Sequence, residues 1–155
     1  MNALIRSGCA CTLLVPLLSL SGVANAAGIP VTVSIKNGLD APARLTGVAW
    51  SLDGQSAEDY TIPAGSSANL TVKLENRKSD QSGFRYAVGE GRICDFHFGH
   101  LSNPIFTWFS ITPQYEARQW ARGRSVGALE TVCEAKVTQP TTELDSSYSV
   151  EMQMR

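Results

Sequence analysis

Asp95, His97 and His100 form the one histidine-bearing cluster in a chain with two histidines. In an extended segment Asp95 and His97 stand two apart on one face, with His100 following beyond Gly99. Three such ligands need a fourth group or a water to complete a zinc site, and the spacing matches no zinc motif. The set reads as a solvated strand face that ends in a polar turn. No Gly-x-Ser-x-Gly elbow surrounds a serine, so no nucleophilic triad is indicated. Asp53, Glu58 and Asp59 lack the ordered ligand spacing of a calcium loop. The sequence asks for no metal and no cofactor, and the chain reads as non-enzymatic.

Two other segments suit binding. Glu116 to Arg124, if extended, puts Arg118, Trp120, Arg122 and Arg124 on one face. Ala117, Ala121 and Gly123 fall on the other. Guanidiniums grip phosphate in a planar fork, and an indole stacks on a cation. A phospholipid headgroup or an anionic glycan fits that face; a solvated strand with Trp120 under arginine stems is the plainer alternative. Asn103 to Phe109 is an apolar run after a loop. Alternation puts Phe106 and Trp108 on one side, Ile105 and Phe109 on the other. Either the run is a strand buried on both faces, or it displays Phe106 and Trp108 for interfacial insertion.

The elements that must position these residues are strands. Apolar residues alternate in Val31 to Ile35, Arg44 to Trp50, Ala68 to Leu74, Phe84 to Val88, Cys94 to Phe98, Leu129 to Val137 and Tyr148 to Met152. Turn residues separate them: Asn37-Gly38, Pro63-Ala64-Gly65-Ser66 and Gly89-Glu90-Gly91. Glu75 to Ser82 and Thr138 to Ser147 read as loops. No long amphipathic helix competes. The pattern predicts a single-domain antiparallel β-sandwich of about eight strands.

Met1 to Ala26 reads as a secretory signal peptide: Arg6 near the start, an apolar run from Cys11 to Leu20, and the small residues Ala24-Asn25-Ala26. The working domain is then 27–155, secreted or periplasmic, with no second stretch long enough for a transmembrane helix. Cys94 and Cys133 remain after the leader, in an oxidising compartment, and both carry inward parity. They are predicted to form one disulfide. The chain holds 13 basic and 14 acidic residues, a net charge of −1. That balance argues against a nucleic-acid binder.

The order of motifs resembles the aegerolysin-type β-sandwich family. The resemblance covers roughly Gly28 to Val137. It comprises the opening strand Val31 to Asn37, the Ile62-Pro63-Ala64-Gly65-Ser66 turn and the Gly83 to Val88 strand. Cys94 to Phe98, Asn103-Pro104 and Gly127 to Val132 complete it. Glu130 replaces a family glycine, and His97 to His100 carries no tryptophan where the family has a tryptophan-rich segment. The resemblance implies a secreted sandwich that recognises membrane lipids, in some members beside a second, pore-forming protein. The leading expectation is a non-enzymatic membrane- or lipid-binding protein of the cytolysin-component type. It uses Arg118, Trp120, Arg122 and Arg124 for headgroups and Phe106 and Trp108 for insertion. The alternative is a periplasmic protein-interaction module, of inhibitor or immunity type, using the same face.

Overall fold

Alternation of buried and exposed residues, the signature of a half-buried strand, runs through most of the chain. In the computed structural model, which describes residues 28–50, 56–106, 108–109 and 112–155, these runs form eight strands. They are β1 (Ile29–Asn37), β2 (Ala43–Val48), β3 (Ser67–Leu74), β4 (Ser79–Val88), β5 (Arg92–Ile105), β6 (Gln114–Ser125), β7 (Cys133–Gln139) and β8 (Tyr148–Met154). One 3-10 turn, Ala57–Tyr60, follows β2. The expected signal peptide and Asp53 lie outside the described residues. Among those described, no helix is long and apolar enough to cross a membrane.

The strands make two four-stranded sheets, ordered β3-β1-β8-β7 and β2-β4-β5-β6. The all-β sandwich is therefore as expected. One pairing departs from the antiparallel rule: β1 and β8 run parallel, Val31 opposite Tyr148 through Asn37 opposite Met154. A parallel pair needs a long connection, and here nearly the whole domain supplies it.

The core lies between the inner faces. Val31, Val33 and Ile35 of β1 and Val150, Met152 and Met154 of β8 are at most 1% exposed. They face Phe84, Tyr86, Phe96 and Phe98 of the other sheet. Phe84 makes edge or tilted contacts with Trp50, Tyr86, Phe96 and Phe98 at 5.6–6.3 Å. Tyr86 reaches out of this cluster to donate its hydroxyl to the Tyr60 carbonyl at 3.0 Å.

One side of the sandwich is laced shut where edge strand β6 meets edge strand β7. Ala117 N donates to Thr142 O, and the Gln119 carboxamide exchanges two hydrogen bonds with the Thr141 backbone. The Cys94–Cys133 disulfide joins β5 to β7 across the two sheets, as the inward parity of both residues predicted. Gly123 permits this approach: a Cβ there would stand 2.6 Å from the Cys133 carbonyl oxygen.

Three local expectations change. Ser79 to Ser82, expected in a loop, belong to β4. Leu129 is 51% exposed and β7 starts only at Cys133, so the inward parity begins after it. Asn37, expected in a turn, is the last residue of β1. It is buried, its amide donating to the carbonyls of Ala41, Ile62 and Pro63 and its Oδ1 accepting from Leu39 N. A buried carboxamide needs such satisfaction, and it ties three chain segments together.

Candidate functional site on the outer face of the second sheet

The β2-β4-β5-β6 sheet turns a polar face to solvent. On β5 the outward residues are Asp95, His97, Gly99 and Leu101, because Cys94, Phe96 and Phe98 must point to the core. On β6 Ala117 and Ala121 point inward, which leaves Arg118, Trp120, Arg122 and Arg124 outward as expected. The pairing register then decides neighbours: Asp95 opposite Arg124, His97 opposite Arg122, Gly99 opposite Trp120, Leu101 opposite Arg118. On the other flank, β4 sets Arg85 beside Asp95 and Gly83 beside His97.

Asp95 is the hub. Its carboxylate meets His97 Nε2 at 3.2 Å, Arg85 Nε at 3.5 Å and Arg124 Nη2 at 3.5 Å. The residue is only 7% exposed although it lies on the outer face. Burial pushes its pKa upward, but the His97 hydrogen bond and charge, with Arg85, outweigh this and hold the carboxyl below its ordinary value. Arg122 stands 5.1 Å over the half-buried Trp120 ring, a cation–π contact. No ion pair among the described residues engages Arg118 or Arg122.

Two shallow cavities flank His97. One, of about 250 Å³, is lined by Gly47, Ala49, Gly83, Arg85 and Asp95 among others. The second, of about 170 Å³, is lined by Asp95, His97, Arg122 and Arg124. Glycine is required at 83, since a Cβ would fall 2.7 Å from His97 Nδ1. The imidazole thus lies against bare backbone.

The β5–β6 hairpin continues past this face. From Asn103–Glu116 to Ile105–Gln114 every side chain is exposed, so this end of the hairpin stands clear of the core. Three residues of strand span roughly 10 Å. At the tip, Phe106, Trp108 and Phe109 are 79%, 99% and 101% exposed. The segment is neither a doubly buried strand nor divided into an inner and an outer side. Phe106 and Trp108 are exposed together with Phe109, and Ile105 and Tyr115 add partly exposed apolar surface beneath them.

His100 parts from the other two members of its sequence cluster. Position 100 has inward parity, and the ring is buried at 1% exposure. Its Nε2 donates to the Asn76 carbonyl at 2.9 Å, and the ring meets Tyr148 edge-on at 6.5 Å. Among the described residues no group of three or more His, Cys, Asp or Glu side chains is placed to hold a metal. Arg118 is also set apart from the Asp95 hub: its pair with Leu101 lies four register pairs beyond the His97–Arg122 pair. The residue that sequence reading missed is Arg85. Its outward parity between Phe84 and Tyr86 was legible, but only strand register sets it beside Asp95.

The site and fold define a disulfide-stapled β-sandwich with an arginine-rich outer face and an aromatic-tipped hairpin. The chain matches no family model and no curated protein.

Proposed function

We propose that the protein is a secreted, non-enzymatic lipid-binding sandwich that docks on membranes through the β5–β6 hairpin. The observation that carries this is the tip, where three aromatic rings stand almost wholly in solvent at the end of one hairpin. Aromatic side chains favour the membrane–water interface. The stem carries Arg118, Trp120, Arg122 and Arg124 on its outer face, where cations near an anionic surface contribute about 1 kcal/mol each. The tip would enter the acyl boundary while the arginines meet headgroups. The aegerolysin-like order of motifs agrees with this reading, and the Met1 to Ala26 leader accounts for export.

Co-sedimentation with liposomes of varied headgroup, at two salt concentrations, tests it. The oxidised domain is expected to bind anionic vesicles, more weakly at high salt. Trp108→Ala with Phe109→Ala is expected to weaken binding at least tenfold, a loss of about 1.4 kcal/mol or more, without lowering thermal stability. Absence of binding to every composition, with one stoichiometric partner recovered from a periplasmic extract, would instead favour the protein-interaction module.

A further inference from the structure

The outer face holds more positive charge than its own carboxylate neutralises. Arg85, Arg122 and Arg124 line the two cavities beside His97, and Asp95 is the one acid among the lining residues. The local excess is two positive charges, in a chain of net charge −1. The Arg85 and Arg124 contacts to Asp95, at 3.5 Å, are longer than the roughly 2.7–2.9 Å of a committed charge-assisted hydrogen bond. Arg122 leans on the Trp120 ring. Each guanidinium has five N–H donors, so most of this capacity is directed at solvent. Gly47 and Gly83 contribute no side chains, which keeps the concavity open on the side of Arg85.

We propose that the two cavities, which share Asp95 and His97 in their lining, together bind one phosphate monoester, gripped by Arg85 from one and by Arg122 and Arg124 from the other. A monoester approaches two negative charges at neutral pH, because its second pKa is about 6. It therefore matches the excess of two, whereas a diester brings one charge. Its tetrahedral oxygens accept from several guanidinium forks at once, which a lysine ammonium would not organise in the same way. Asp95 acts as a positioning residue, drawing Arg85 and Arg124 toward the centre. Soluble molecules and lipid headgroups both carry such monoesters. Only the second source rests on the membrane reading above.

The test titrates the oxidised domain with methyl phosphate and with dimethyl phosphate, followed by calorimetry and tryptophan fluorescence. Methyl phosphate is expected to bind about tenfold more tightly, and Arg122→Gln and Arg85→Gln each to weaken it about tenfold. Circular dichroism confirms that both variants are folded. Arg122→Lys should restore less than half of the loss in binding free energy if the planar fork matters. Equal affinities for the two esters, or unchanged affinity in both glutamine variants, overturns the site. Vesicles of phosphatidic acid and of phosphatidylglycerol then separate the sources. Methyl phosphate binding without capture by either kind of vesicle leaves the site standing and removes the membrane reading. Vesicle capture that survives both glutamine variants, with no methyl phosphate binding, removes the site and leaves the membrane reading standing.

Discussion

Asp95 shows how one residue can carry a site's electrostatics. Its pKa is depressed in the folded state, so its contribution to stability is present above the ordinary carboxylate range. It is lost as pH falls through the lowered folded value. Acid unfolding followed by tryptophan fluorescence should therefore show Asp95 stabilisation disappearing below about pH 4. Asp95→Asn should flatten that part of the curve, and an unaltered curve would remove Asp95 from the account. Tyr86 works in the opposite direction. Burial, then the nearby Tyr60, pushes its pKa up to about 12. Stability linked to Tyr86 is complete below the ordinary tyrosine range near 10 and falls as pH rises toward 12. In an ultraviolet titration of the folded protein, Tyr86 should ionise well after a free tyrosine, joined by the similarly raised Tyr148. Asn37→Ala should cost about 2–4 kcal/mol in urea unfolding, because buried carbonyls lose their donor.

At the scale of elements, the β5–β6 hairpin divides by depth rather than by face. Its base is held in the sandwich by Phe96, Phe98 and Ala121, and its outer end is solvated on both sides. Stability and binding should therefore separate along the same two strands. Substitutions at the tip, such as Phe106→Ser, are expected to change the melting temperature by less than about 2 °C, since exposed positions contribute within about 0.5 kcal/mol. Gly83→Ala, at the base, should disturb the His97 ring and the concavity beside it. A melting curve for each variant checks the separation. Equal destabilisation at tip and base would mean that the tip packs against the domain in solution.

For the whole molecule, the two sheets are coupled at one side by the disulfide and by the contacts between β6 and β7. The Cys94–Cys133 bond closes a separation of 39 residues, worth about 3–4 kcal/mol in the chain-entropy description. Reduction, or Cys94→Ser, should lower the melting temperature by about 10 °C. A melting temperature unchanged on reduction would contradict the pairing. β1 and β8 bring the first and last strands of the domain side by side. Removing β8 therefore strips the neighbour of both β1 and β7 and should unfold the sheet, not merely trim its end.

Parity was legible in the residues themselves. A strand with Phe84 and Tyr86 inward must turn Arg85 out, and one with Ala117 and Ala121 inward must turn Arg118, Trp120, Arg122 and Arg124 out, because successive side chains alternate. The same alternation placed Cys94 and Cys133 toward each other's sheet. What parity leaves open is register, which depends on contacts distant in sequence. Only the assembled sheets set Arg85, Arg122 and Arg124 around Asp95, and only they put β1 parallel to β8. His100 was misgrouped because proximity along the chain does not imply a shared face. The exposed tip was one of two readings left open, because an apolar run reads the same in a core strand and at a hairpin end. The amino-acid order determined the faces of the strands and their disulfide; tertiary packing decided which faces meet and where the chain leaves the core, since those depend on long-range pairing.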